Sequence, residues 1–238
     1  MPARFSASQA KKFMHCHASA NLPAAIPNWV APVEDPSADN AANRGTHAHE
    51  LLAEIMSLGP KEAKNFSRAL GYVADIQDRR RFKRLIEEKT TAWWLPGTPE
   101  TTVDLVLYVQ DEIHIIDWKW GKIPVEVQGN EQLQYYALCF AHLAPKADGV
   151  TVHIVQPAAD NMDSWFVDAK QLQWFMDATK HHAKEIANGH VGFNPGDWCT
   201  FCPANPHSRA PKGYPACPAQ QELLYPEVID EDEILGKR

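Results

Sequence analysis

Two short segments place acids where a strand should be apolar. In Thr102-Val103-Asp104-Leu105-Val106-Leu107 a carboxylate interrupts a β-branched run, where burying it uncompensated would cost several kcal/mol. The next apolar run repeats the anomaly in Ile115-Ile116-Asp117-Trp118-Lys119, and the two-residue period of a strand puts Asp117 and Lys119 on one face. If the two strands form a hairpin, two acids and an ammonium converge at one end. Two carboxylates drawn together repel unless a divalent cation lies between them, and hard oxygen ligands favour magnesium or manganese. Lys119 could then orient or deprotonate the attacking water. Such a group is equipped for phosphodiester hydrolysis. The plainer alternative is a strand-end salt bridge between Asp117 and Lys119.

A second constellation is Cys199-Thr200-Phe201-Cys202, a C-x-x-C pair in a Pro- and Gly-rich stretch, followed by Cys217. Such spacing points to metal binding, because the surrounding loop has little core of its own in which to bury thiols. His207 lies between the pair and Cys217, so Cys199, Cys202, His207 and Cys217 could form a local zinc site. Cys139, inside an apolar helix, reads as a small buried residue.

The elements that must carry these residues follow from caps and changes of period. Ser6 with Gln9 opens a short helix ending near Cys16, and residues 18 to 43 read as an irregular connection. A helix resumes at Thr46, with Leu51, Leu52, Ile55 and Met56 at helical spacing, and a second runs from about Lys61 to Leu85. Strands are expected over Ile86–Trp94, Thr101–Val109, Glu112–Trp118 and Val150–Val155. A helix over Glu131–Leu143 separates the last two. Asp168 with Gln171 caps a long helix that stops at Gly189. The order describes an α/β domain on a mixed central sheet flanked by helices. At 238 residues the chain suits one decorated domain: an N-terminal helix and connection (1–45), a core (46–192), a cysteine-rich segment (193–220) and an acidic tail (221–238).

Bulk properties narrow the setting. A net charge of −7 argues against a protein coated in basic residues, although Arg79, Arg80, Arg81, Lys83 and Arg84 form a local basic run. That run is either a solvated face or a phosphate contact. No apolar run approaches the roughly 20 residues of a membrane span, and Met1-Pro2-Ala3-Arg4-Phe5-Ser6 has no secretory h-region. A cytoplasmic location is expected, where thiols serve better as metal ligands than as disulfides.

Taken in order, Arg44-Gly45-Thr46-His47-Ala48-His49-Glu50, then Asp104, then Ile115-Ile116-Asp117-Trp118-Lys119-Trp120-Gly121-Lys122, then Asn130-Glu131-Gln132-Leu133-Gln134-Tyr135-Tyr136 resemble the successive motifs of RecB-type PD-(D/E)XK nucleases. Val155-Gln156-Pro157 resembles a strand end of the phage-encoded exonuclease branch, and the resemblance runs from Ser6 to about Cys217. It implies a PD-(D/E)XK core and a magnesium- or manganese-dependent deoxyribonuclease with DNA as partner. The expected role is that of an exonuclease at DNA ends in phage replication or recombination, within the bacterial host cell. The alternative is a non-catalytic DNA-binding or recombination-accessory protein with a structural metal site.

By the resemblance, His49, Asp104, Asp117 and the carbonyl of Trp118 correspond to metal ligands, and Lys119 to the catalytic lysine. Glu88 corresponds to an acid on the preceding strand, with Glu87 adjacent. Gln132 and Tyr136 correspond to a pair supporting the site and the DNA backbone, whereas His47 points elsewhere on its helix. Thr102 stands where the family commonly has Gly. Relatives with iron-sulfur centres, among them AddB and the CRISPR-associated adaptation nucleases, set one cysteine before the core and three after it. Cys16, Cys199, Cys202 and Cys217 resemble that set, which implies a [4Fe-4S] cluster clamping the N- and C-terminal segments together. The gap from Cys202 to Cys217 is longer than usual there, which leaves Zn2+ as the alternative.

Overall fold

The structure is a computed structural model that describes residues 4–32, 41–58, 67–78, 80–143, 148–206 and 215–224. Arg79, His207 and the acidic tail beyond residue 224 lie outside the described residues. The chain divides into two compact units, one of Met1–Lys11 with Asp35–Lys184 and one of Lys12–Glu34 with Glu185–Arg238. The cysteine-rich segment is therefore part of a unit that also draws on the N-terminal region, where the sequence suggests one domain with an appendage.

The first unit is built on a five-stranded sheet in the order β1-β2-β3-β4-β5. Its strands are β1 (Phe82–Thr91), β2 (Glu100–Val109), β3 (Glu112–Trp118), β4 (Gly149–Gln156) and β5 (Asn161–Asp168). All neighbours are antiparallel except β3 and β4, so the sheet is mixed as expected. Gln110, at φ 59°, makes the tight turn between β2 and β3. The parallel step from β3 to β4 needs a crossover, which contains the helix Glu131–Phe140.

Helices are numbered α1 (Ala10–His15), α2 (Leu22–Ala25), α3 (Ala41–Leu58), α4 (Ser67–Gln77), α5 (Glu131–Phe140), α6 (Ala169–Ala187) and α7 (Pro218–Leu224). Leu105, Leu107 and Val109 of β2 join Ile116 and Trp118 of β3 and Val155 of β4 on one face. Leu52 of α3 and Ala69 and Val73 of α4 cover them. Alternate positions Ile113, Ile115, Val152 and Ile154 are buried too, and α5 packs against β3 and β4. Both sheet faces are therefore covered, which explains why β3 and β4 read as near-continuous apolar runs. Asn130 caps α5 by accepting from Gln132 N at 3.0 Å and Leu133 N at 3.2 Å. Asp168 accepts from Gln171 N at 2.8 Å, as its spacing foretold, and Gly189 follows α6 at φ 92°.

Three expectations are corrected. The helix expected over 61–85 ends at Gln77 in α4, because the chain turns at Asp78 (φ 39°) and Phe82 already pairs with Val109; residues 61–66 lie outside the described residues. β1 accordingly starts earlier and ends at Thr91. β5, unforeseen, closes the far edge, and its exposed, mixed face hides the alternation that marks a half-buried strand. Within 18–43, the described residues include a 3-10 turn (His17–Ala20) and α2. Among the described residues no helix is long and apolar enough to cross a membrane.

Away from Asp104 and Asp117, a polar chain runs through the buried His153 and out to exposed Glu112. Tyr72 Oη meets His153 Nδ1 at 3.0 Å, His153 Nε2 meets His114 Nδ1 at 3.0 Å, and His114 Nε2 lies 3.4 Å from Glu112, which pairs with Arg80. Burial, reinforced by His114, holds the His153 imidazole down at about 3. An unfolded His titrates near ~6.5, so this neutral ring stabilises the fold fully above that pH, and the contribution is lost as pH falls from about 6.5 toward 3. Urea unfolding at pH 7.5 and 5.5 should show wild type losing about 1 kcal/mol more on acidification than His153→Gln does. Equal losses in the two proteins would remove His153 from the acid response.

Candidate metal centre and cysteine cavity

β2 and β3 pair only as far as Leu105 with Ile116. Asp104 and Asp117 are the next residues on each strand, where the two strands part. Freed from the ladder, the Trp118 amide donates to Asp104 Oδ2 at 2.8 Å, which puts the backbone of Trp118 beside the acid. Asp104 Oδ1 lies 3.4 Å from His49 Nδ1, delivered by α3. Burial works against charge on His49, but the hydrogen bond and charge of Asp104 outweigh it and raise the imidazole above its ordinary value. His47 instead faces solvent beside Glu50 at 3.8 Å.

The acid of β1 that meets His49 and Asp104 is Glu87, the neighbour of the Glu88 to which the resemblance points. Ile86 pairs with Leu105 and Glu88 with Val103, while Glu87 between them leaves the register at φ 48°, a left-handed value unusual for a side chain of this size. One atom each from His49, Glu87 and Asp104 comes within 4.8 Å of the others. Burial and the nearby Asp104 charge raise the Glu87 carboxyl, and a cation at that point would relieve the repulsion. One imidazole and hard carboxylate oxygens suit magnesium or manganese, so the residues fit such an ion.

Asp117 stands behind this trio, 2% exposed. Its Oδ2 forms an ion pair with Lys119 Nζ at 2.7 Å. Burial pushes the Asp117 carboxyl up, and the Asp104 charge adds to it against the pull of Lys119. The Lys119 amine is raised in turn, because the Asp117 carboxylate outweighs its own burial, so Lys119 is held as an ammonium. The strand-end salt bridge therefore exists, and it is part of the acidic site.

Gln132 of α5 joins these groups. Its Nε2 donates to Asp117 Oδ1 at 3.2 Å and to Tyr136 Oη at 2.8 Å, and its Oε1 accepts from Lys119 Nζ at 3.4 Å. Gln132 and Tyr136, one helical turn apart, hold the acid and the lysine in place. Asn130, quoted in sequence only as the start of a motif, caps α5 and so sets where that helix begins. Its signal was an Asn directly before a helical run.

The second unit gathers the other constellation. Cys16, Cys199, Cys202 and Cys217 line one apolar cavity, together with Phe193 and Trp198. Gly196 N donates to Cys199 Sγ at 3.4 Å, and Cys217 N donates to Ala204 O at 2.9 Å. The N- and C-terminal parts of this unit meet through Ala18 N to Gly192 O at 3.1 Å and Asn194 Nδ2 to His15 O at 2.8 Å. Burial raises the thiols of Cys202 and Cys217, with neighbouring cysteines adding to it. The four thiols share this cavity, whereas the group of metal-capable donors lying within 4.8 Å of one another among the described residues is His49, Glu87 and Asp104. Cys139 lies apart in α5, its thiol pushed up to about 12 by burial, as a small core residue.

Residues 83–236 match the model of a family described as "Protein of unknown function (DUF2800)". The chain belongs to this DUF2800 family. The matched span includes Glu87, Asp104, Asp117, Lys119, Gln132 and Tyr136 with Cys199, Cys202 and Cys217, while His49 and Cys16 precede it. No curated protein matches this DUF2800 chain. Among solved structures it is similar to one described as "Crystal structure of SSO0001", at 14% identity and a TM-score of 0.38, covering 68% of this chain and 66% of that chain, just under two thirds of its length.

Proposed function

We propose that this chain is a divalent-metal-dependent DNA nuclease, acting as an exonuclease at DNA ends in phage replication or recombination. The observation that carries the reading is the convergence of His49, Glu87 and Asp104 within 4.8 Å beside the Asp117–Lys119 pair. His49, Glu87 and Asp104, with Asp117 and the Trp118 carbonyl alongside, would hold magnesium or manganese. When bound, the ion supplies Lewis-acid polarisation of the phosphodiester. Lys119, held as an ammonium, places positive charge and hydrogen-bond donors where negative charge develops and orients the attacking water. That protonation state favours orientation over proton abstraction. Gln132 keeps Asp117 and Lys119 in fixed relation, which limits the reorganisation that catalysis would otherwise require.

The same reading assigns the cysteine cavity to a [4Fe-4S] cluster, supported by Cys16 lining it with the other three cysteines. A zinc site of Cys199, Cys202, His207 and Cys217 would leave Cys16 without a task, and His207 lies outside the described residues.

The purified chain should degrade linear DNA with magnesium or manganese, spare covalently closed circles, and stop when the metal is chelated. Asp104→Ala should abolish the loss of DNA on a gel. Intact linear DNA with either metal, or cleavage indifferent to Asp104→Ala, would overturn the reading.

A further inference from the structure

Directly after Lys119 the chain forms a loop that is pinned from beneath. Lys119 N donates to Val155 O at 3.1 Å, and Trp120 packs against the core under the sheet. The buried Gln156 then spends its whole amide on this loop and its neighbour. Its Nε2 donates to Gly121 O at 2.7 Å and Ile123 O at 2.8 Å, and its Oε1 accepts from Val125 N at 3.1 Å and Asn161 Nδ2 at 3.1 Å. Asn161 Nδ2 also donates to Val125 O at 2.9 Å, and Pro124 removes a backbone freedom within the same stretch.

A backbone held this firmly nevertheless presents Ile123 at 79% exposure, the highest among the described large apolar side chains that face solvent. Lys122 beside it is exposed as well. Rigidity is not needed to leave an isoleucine in water. It is needed to hold one ready for insertion, because the ordering cost of a contact is then met before binding. Ile123 is four positions after Lys119, so the tip lies within about 14 Å of the lysine along the chain. That reach is roughly four stacked base steps of 3.4 Å.

We propose that Ile123 is a wedge that enters a base step of DNA bound at the acidic site and unstacks nucleotides within about four steps of the reacting phosphate, while Lys122 contacts a neighbouring phosphate. Apolar side chains on rigid loops are suited to this, since unstacking a step exposes base faces that an aliphatic group can cover. The inference rests on the nuclease reading and deepens it by naming how that site would meet its substrate.

The test uses the full chain with end-labelled duplexes carrying 2-aminopurine at successive positions from the end, in calcium to permit binding without turnover. Wild type should raise the fluorescence several-fold at one or two positions. Ile123→Ala should lose most of that rise at saturating protein while melting like wild type, and Ile123→Leu should restore it. Lys122→Ala should weaken binding several-fold and leave the saturated signal intact. If wild type binds and, in magnesium, cleaves, yet no position brightens, or if Ile123→Ala keeps the full signal, the wedge is wrong and the nuclease reading stands. A wild type that neither binds nor cleaves DNA would overturn both.

Discussion

Asp117→Ala is expected to reduce metal-dependent DNA cleavage by more than about 10³-fold, beyond what the loss of a single transition-state hydrogen bond costs. Asp117 lies just past the last residue of β3 that pairs with β2, and its Oδ1 is bonded to Gln132 while its Oδ2 is close to Lys119. Removing it withdraws the carboxylate that stands beside the His49, Glu87 and Asp104 group and the partner that keeps Lys119 charged. Breaking a buried pair costs about 3–5 kcal/mol when the other charge stays trapped. Here the Lys119 side chain is 28% exposed and can reach water, so the fold should survive. Asp117→Asn, which retains an acceptor for Gln132, guards against a folding defect and should be equally inactive. Lys119→Ala should lose about 10²–10³ in rate while binding manganese with near wild-type affinity, since it acts on water and phosphate. Calorimetric titration with manganese and single-turnover cleavage separate the two effects. Near wild-type cleavage by either Asp117 variant would show that the acid has no catalytic part, and loss of manganese affinity in Lys119→Ala would make the lysine structural.

The second large effect is expected at Cys16. Anaerobically purified wild type should be brown, with iron and inorganic sulfide, and Cys16→Ala should be colourless. Cys16 and Cys199 are 183 positions apart in sequence (199 − 16), yet both line one cavity. A link across so long a loop constrains the unfolded chain by about 5 kcal/mol in the chain-entropy model. At about 2–4 °C per kcal/mol for a chain of this size, Cys16→Ala should lower the melting temperature by roughly 10–20 °C. Zinc predicts a different pattern: a colourless protein with stoichiometric zinc that tolerates Cys16→Ala and loses its metal with His207→Ala. That result would sink the cluster and leave the acidic site untouched, because the two sites share no residue.

Local pattern was enough for the middle of this protein. The strand Glu112–Trp118 was legible to the residue, and the helix beginning at Glu131 likewise, because periodicity and capping act between near neighbours. The acid in each apolar strand, and the lysine two positions on, were visible for the same reason: a charge in a buried run demands a partner. Edges were harder to read. Residues 79–85 carry enough basic and apolar side chains to suit a helix, and only pairing with β2 makes 82–85 a strand. β5 is half solvent-exposed, so its alternation is weak until β4 supplies the ladder.

What tertiary structure alone decided is which distant groups meet. Adjacent glutamates at 87 and 88 are equivalent to any local rule. The left-handed backbone at Glu87, opposite Asp104, sends that carboxylate to His49 and leaves Glu88 in the ladder. The parting of β2 and β3 after Leu105 and Ile116, which gives Asp104 the Trp118 amide, is likewise a property of register. Gln156 reads in sequence as a polar strand end, and only the folded loop shows its amide holding Gly121, Ile123 and Val125. The types of chemistry were thus written in the chain by composition and spacing. The meeting points were set by long-range contacts, whose geometry depends on strand register and single backbone angles that no local period encodes.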